Sequence, residues 1–226
     1  MRRFAYSSFL ALTLAACGGD ATDGGTGSDT LYIDADVVAE PQISNAREAG
    51  DFTTELRVRC SLNGNDLNAG TVVLHSDGGD VELAWDGSDW RGAQSGYWGA
   101  YTLDVDFGDD YVHGVTVDGP GIHTFTSPAS GATVDATAAL EVSWDRGDAA
   151  DSASIDTEEM DRVAIADTGS FLLPVGGLKS SSDQVEDERI ELRRASRVAP
   201  NGAIGGSELR VSVENRIDVL VAATGL

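Results

Sequence analysis

The residue types best suited to binding a ligand are carboxylates in short loops of the first half of the chain. These acidic residues are Asp77 with Asp80, Asp86 with Asp89, and Asp104, Asp106, Asp109 and Asp110. Ca²⁺ takes about six to eight oxygen ligands, which several neighbouring loops can supply together. No loop here has the spacing of a known calcium loop, and the histidines are too scattered for a zinc set. We therefore interpret these loops as solvated turns and predict no metal and no cofactor.

Aromatic side chains are concentrated between residues 89 and 101. Trp90, Tyr97, Trp98 and Tyr101 lie there among glycine, glutamine and serine. Such rings stack on sugars or anchor protein partners when they are exposed. We predict that these four residues form a binding patch for a protein or a glycan. The alternative is that Trp90 and Tyr101 fill a hydrophobic core while the glycines form the turn.

Two short motifs resemble known functional segments. Asp167-Thr168-Gly169-Ser170 resembles the active-site turn of aspartic proteases, in which two carboxylates share a proton and one activates water. The resemblance implies a homodimer that pairs Asp167 with its own copy, because a second such turn is absent. Arg146-Gly147-Asp148 resembles an integrin-binding tripeptide in an exposed loop. Both motifs also suit ordinary turns, and we predict no catalytic residue.

The N-terminal residues predict export. Met1-Arg2-Arg3 precedes an apolar run, Phe4 to Leu14, that is shorter than the roughly 20 residues needed to span a bilayer. Residues 1–16 are therefore predicted to be a signal peptide. Leu14-Ala15-Ala16-Cys17 resembles the bacterial lipoprotein box, which implies lipid, such as palmitate, on Cys17. The alternative is an ordinary cleaved signal, with Cys17 there by chance.

The resemblance to lipoproteins also implies a location. Gly18 rather than Asp follows Cys17, which in the sorting rule of enteric bacteria implies the outer membrane. Residues 17–30 are rich in Gly, Asp and Thr and are predicted to form a flexible linker. The chain carries a net charge of −23, which repels nucleic acid and anionic lipid surfaces. We therefore expect no nucleic-acid partner.

Alternating apolar and polar residues predict the elements that must position these side chains. The period of two begins near Asp51 and is interrupted by Gly- and Asp-rich turns, which favours an all-β fold of antiparallel sandwiches. In Leu56 to Leu62 the alternation places Cys60 on the buried face. Pro120 between two glycines marks a boundary, so we predict a first β-sandwich over residues 31–120 and a second over residues 121–226.

The second predicted module resembles bacterial immunoglobulin-like or fibronectin-like domains. The segments Thr124 to Val134 and Leu140 to Asp145 carry this resemblance, which implies that Trp144 points into the core. The sequence thus predicts two immunoglobulin-like β-sandwiches on a lipid anchor. We expect a non-catalytic binding or adhesion module, with a structural spacer or an Asp167-dependent protease as alternatives.

Overall fold

The structure, a computed structural model, describes residues 22–224. Its regular elements are β-strands and one 3-10 turn, Ala49–Asp51, so the all-β prediction is confirmed. The strands are β1 Thr26–Gly27, β2 Leu31–Pro41, β3 Phe52–Leu62, β4 Asn65–Asp66, β5 Thr71–Ser76, β6 Val81–Glu82, β7 Ala84–Trp85, β8 Trp90–Ser95, β9 Ala100–Asp106, β10 Tyr111–Asp118, β11 Thr124–Ser127, β12 Thr133–Val134, β13 Leu140–Asp145, β14 Ser152–Thr157, β15 Val163–Ile165, β16 Ser170–Leu173, β17 Glu186–Val198 and β18 Glu208–Val221.

Three sheets enclose two hydrophobic cores. A five-stranded sheet, β1-β10-β9-β5-β6, covers the first core, and a three-stranded sheet, β11-β13-β16, covers the second. A ten-stranded sheet, with main path β15-β14-β17-β18-β2-β3-β8-β7, lies opposite both. Strand alternation builds these cores: in β3 every second side chain from Phe52 to Cys60 is buried, as expected for a sheet with one face in water. Cys60 and Trp144 are both buried, as predicted.

The ten-stranded sheet is mixed, which differs from the purely antiparallel sheets that the sequence predicted. β18 pairs with β17 in antiparallel register but with β2 in parallel register, and β12 also pairs with β18 in parallel. A parallel pair needs a long connection, and most of the chain separates β2 from β18. Local alternation predicts a strand but carries no information about so distant a partner.

β18 contributes to both cores. Its first half places Leu209, Val211 and Val213 in the first core, while Ile217 and Val219 lie in the second. The boundary predicted at residue 120 therefore divides most of the sequence between the two cores, but the C-terminal hairpin β17–β18 runs through both sandwiches.

Residues 22–30 lie against the first sandwich, which differs from the flexible linker predicted for residues 17–30. β1 pairs with β10, and Asp23 forms a bridge with Thr116. Gly27 lies very close to the backbone of Gly202. A Cβ atom at position 27 would lie 2.5 Å from the carbonyl oxygen of Gly202. Glycine thus permits close packing in this segment. The predicted signal peptide and Cys17 lie outside the described residues.

Candidate functional site

The four aromatic residues proposed as an exposed patch are mostly core residues, so that prediction is wrong for three of them. Trp90 and Tyr97 are each 5% exposed and Tyr101 is fully buried, while Trp98 is half-buried. The polar atoms of the buried rings are also engaged: Trp90 Nε1 donates to the carbonyl of Leu67 at 2.9 Å, and Tyr97 Oη donates to Pro120 at 2.7 Å. Buried rings cannot stack on an external ligand.

Asp167 is held by a buried arginine. Arg194 donates from Nε and Nη2 to Oδ2 of Asp167 at 3.1 and 2.8 Å, and Trp144 Nε1 donates to Oδ1 at 3.3 Å. Both carboxylate oxygens therefore accept hydrogen bonds within the chain, and the side chain is in a structural ion pair. This geometry agrees with the interpretation of the Asp167 motif as an ordinary turn.

Arg194 also fixes the loop that carries Arg146-Gly147-Asp148. Its guanidinium donates to the backbone carbonyls of Arg146 and Gly121, and to that of Asp148 at 2.5 Å. The tripeptide is exposed in the loop between β13 and β14, where the sequence places it. The hydrogen bonds from buried Arg194 nevertheless fix the backbone of this loop.

Sequence reasoning did not single out Arg194. The sequence feature that could have identified it is an arginine at an inward-facing position of β17, on the same face as Ile190 and Leu192. A charged side chain at an inward position needs strong partners, and here those partners come from three different loops.

Several acids of the predicted loops pair with a nearby basic side chain. Arg91 pairs with Asp86 at 2.6 Å and with Asp89 at 3.3 Å. His75 lies between Asp80 at 2.7 Å and Asp104 at 3.2 Å; burial lowers its pKa, but the two carboxylates raise it by more. Within residues 22–224, no group of three or more His, Cys, Asp or Glu side chains is arranged to hold a metal ion.

Four arginines form a line across the outer face of the ten-stranded sheet. Strand register places Arg197 beside Arg210, Arg210 beside Asp36, Asp36 beside Arg57, and Arg57 beside Arg91. We call these five residues the arginine row. It crosses β17, β18, β2, β3 and β8, and therefore spans about 19 Å at the usual strand spacing.

One carboxylate at the centre of the row holds two guanidiniums. Arg210 donates to Asp36 Oδ1 from Nε at 2.8 Å and from Nη2 at 2.5 Å, while Arg57 Nη2 donates to Oδ2 at 2.7 Å. Burial raises the pKa of Asp36, but the hydrogen bonds and charges of Arg57 and Arg210 lower it by more. Asp36 is therefore ionised at neutral pH. Arg57 also lies 3.9 Å from Asp34, and Arg210 lies 3.9 Å from Glu208, so further acids surround the pair.

A concave region of about 520 Å³ lies beside the arginine row. We call it the trough. Its lining residues are Asp36, Val38, Glu55, Leu56, Arg57, Arg91, Gly92, Ala93, Arg193 and Arg210. Arg193, which closes one side, donates to Ser212 Oγ at 2.8 Å and lies 3.3 Å from Glu214. The lining thus combines four arginines and two acids with small or apolar side chains, and each of these arginines is paired with an acidic side chain.

Comparisons with known proteins add little to this geometry. No protein-family model matches the chain, and no curated protein matches it. One similar solved structure, "Crystal structure of DIP-gamma IG1+IG2", is 12% identical over 85% of this chain and 97% of that chain, with a TM-score of 0.23. The fold described above therefore rests on the strand pairing of this chain itself.

Across residues 22–224, no helix has the length and apolar character needed to cross a bilayer.

Proposed function

We propose that this protein is a lipid-anchored module of the bacterial cell envelope that binds a partner without catalysis. Lipid on Cys17 would hold it in the outer membrane, and the trough would form the binding face. The single observation that carries the binding role is the trough itself. It places four arginines of a strongly acidic chain around one exposed concavity.

The position of Thr22 supports a body held close to the lipid. Thr22 Oγ1 accepts a hydrogen bond from the backbone of Asp118, so the chain is already fixed to β10 at this residue. Four residues lie between Cys17 and Thr22, so the chain makes five residue-to-residue steps and spans at most about 18 Å when fully extended. The five-stranded sheet that contains β1 is opposite the sheet that carries the trough. The trough therefore faces away from this attachment.

Cross-linking in intact cells tests the binding role. A photoreactive residue at Ala93, which is exposed in the trough, is compared with one at Asp109, which is exposed on the opposite layer. A recurrent protein or glycan adduct at position 93 and not at 109 is expected. Equal labelling of abundant neighbours at both positions would overturn the binding role.

Cys17→Ser should release the protein from the membrane fraction, and retention there would contradict the anchor.

A structural spacer is the second candidate function. The observation that favours it is the hairpin β17–β18, which is paired over its whole length and joins both cores. A spacer predicts that the length of the body matters while the trough does not. In that case, a variant whose charged trough residues are replaced by neutral ones would still fully complement every envelope phenotype of a deletion strain.

A further inference from the structure

We propose that the free edge of β16 is a dimerisation edge, at which two copies of this chain pair their β16 strands in antiparallel register about Leu172. Such a pair joins two three-stranded sheets into one six-stranded sheet. The edge is a different surface from the trough, which lies on the ten-stranded sheet. The inference therefore does not rest on the proposed function.

The first step is the open side of β16. This strand is the last of the three-stranded sheet and pairs with β13 alone. The N–H of Trp144 donates to the carbonyl of Gly169 at 2.9 Å, which fixes the alternation of hydrogen bonds along the two strands. Phe171 and Leu173 therefore bond to β13, whereas the N–H and C=O of Leu172 point to the open side. Within residues 22–224, no group pairs with either of them.

The second step is the chemistry of the edge. Leu172 is 60% exposed, and a concave region of about 650 Å³ lies beside it. Residues 168–178 include no charged side chain. An exposed apolar edge strand without charges is the kind of edge that pairs with another strand. In a symmetric pair about Leu172, the two leucines lie on the same face of the joined sheet, about 5.5 Å apart at Cα, and cover each other.

The third step distinguishes a second copy from an unrelated peptide. In this register Ser170 lies opposite Pro174 of the second copy. Proline has no N–H to donate, and the carbonyl of Ser170 already accepts a hydrogen bond from Thr168 Oγ1 at 3.2 Å. The pair therefore leaves no carbonyl without a donor. An ordinary peptide would instead place an unsatisfied carbonyl opposite Pro174, which is unfavourable.

The fourth step is the electrostatics of bringing two acidic chains together. Glu141 lies opposite Leu172 on β13, in line with the paired leucines. Three strand spacings, or about 14 Å, separate it from its copy, which exceeds the Debye length of roughly 8 Å at physiological salt. Asp167, at the start of β16, is paired with buried Arg194. Repulsion across this edge is therefore screened, and added salt should strengthen the association.

The oligomeric state of the purified full-length protein tests this proposal, measured by light scattering in a non-ionic detergent whose mass is subtracted. Leu172→Asp places two like charges at the centre of the pair. Leu172→Pro removes the outward N–H and leaves the bonds between β16 and β13 in place. The matched control is Val163→Asp on β15, an edge strand of the same sandwich, where the side chain is 41% exposed. Circular dichroism establishes that each variant folds.

We expect wild type and Val163→Asp to form dimers, more completely as the salt concentration rises. Leu172→Asp should raise the dimer dissociation constant about tenfold or more, because it removes the contact of two leucines and opposes two charges. Leu172→Pro should also favour the monomer. In a Cys17→Ser chain, Leu172→Cys treated with a short bis-maleimide should give a product of twice the protomer mass. Val163→Cys should give none, since Cys60 is buried.

A monomer at every protein and salt concentration would overturn the proposal. A wild-type dimer that persists in both Leu172→Asp and Leu172→Pro would also overturn it, because another surface would then hold the two copies. If Leu172→Cys in cells gives a cross-linked product with a different protein and no dimer, the edge belongs to another strand and the proposal fails. None of these outcomes depends on the adduct at position 93, so the two proposals fail separately.

Discussion

Arg194 joins segments that the sequence alone leaves unconnected. Its fully buried guanidinium links Asp167 in the turn before β16 to the loop after β13 and to the segment that connects the two sandwiches. Removing one partner from a buried ion pair leaves an uncompensated charge, which costs more than the pair contributes. Arg194 is therefore important for stability.

Arg194→Met should lower the free energy of unfolding by about 3–5 kcal/mol, because Asp167 and several backbone carbonyls lose their donor. Arg189→Met, at an exposed position of the same strand, should change it by about 0–1 kcal/mol. Urea unfolding followed by tryptophan fluorescence measures both. Equal effects of the two substitutions would contradict the structural role given to Arg194.

Cys60 should be chemically silent in the folded protein. It is fully buried, and burial raises the pKa of its thiol to about 12, so the reactive thiolate is scarce at pH 8. We expect no labelling of Cys60 by a thiol reagent in native buffer and complete labelling in denaturant. A Cys17→Ser chain removes the other cysteine from the assay. Rapid native labelling would show that the first core opens frequently.

An ionic cluster on β14, β17 and β18 should make stability depend on pH. Arg162 contacts Asp156, Glu191 and Glu214, at 3.2, 2.5 and 3.2 Å. Burial, together with the charges of Glu214 and Asp156, raises the pKa of Glu191 to about 7 despite Arg162. The pKa of a glutamate in an unfolded chain is about 4.3. The folded chain therefore binds this proton more tightly than the unfolded chain does.

The contribution of Glu191 to stability is therefore present below pH ~4.3 and is lost as the pH rises through about 7. We expect Glu191→Gln to flatten the fall in stability between pH 5 and pH 8. Urea unfolding at the two pH values measures the slope. The same slope in wild type and variant would show that Glu191 is not the group that binds this proton. Glu55→Gln, on the same face of the sheet but outside this cluster, serves as the control.

The strands were predictable and their long-range partners were not. Alternation in β3 is a local property, so it identified the buried face of Cys60 correctly, and Trp144 is buried as the resemblance of the second module implied. Pairing of β18 with β2 depends on two segments far apart in the chain. The arginine row exists only in that register, since Arg210 and Asp36 come from these two strands. A single sequence therefore could not show the trough.

The prediction of an exposed aromatic patch was wrong for a related reason. Trp90 and Tyr101 have the composition of a binding patch, but Trp90 on the ten-stranded sheet and Tyr101 on the five-stranded sheet both lie in the first core between these sheets. Only the turn glycines and the alternation favoured the core alternative, which proved correct for these two residues.

At the scale of the whole molecule, the two sandwiches should unfold together. β17 and β18 supply side chains to both cores. At their junction the buried side chain of Asn215 donates to the carbonyls of Ala46 at 2.8 Å and His123 at 2.6 Å. Neither core keeps its long sheet if the other is lost.

We therefore expect a single transition in scanning calorimetry, with a calorimetric enthalpy equal to the van't Hoff enthalpy. Two resolved transitions, or a calorimetric enthalpy near twice the van't Hoff value, would show that the cores unfold independently. Asn215→Ala leaves several buried groups unpaired and should lower the midpoint without splitting the transition.

The attachment of Thr22 to β10 gives a last prediction, about the distance between the body and the membrane. If lipid is carried by Cys17, the backbone at exposed Asp23 lies within about 22 Å of the anchor, given at most ~3.6 Å per residue. A dye at Ala93, on the opposite layer, lies farther away. Energy transfer to a labelled lipid in vesicles should therefore be stronger from position 23 than from position 93, and buried Cys60 should not interfere with labelling.

Inserting 20 Gly/Ser residues between Gly19 and Asp20 should weaken transfer from position 23, because such a linker adds about 25 Å on average. An inserted Gly-Ser pair, which adds little reach, is the control. Unchanged transfer in the long variant would mean that the body is held to the bilayer by its own surface. For a chain of net charge −23, such adhesion to anionic lipid would be unfavourable, so raising the salt concentration would then strengthen the transfer.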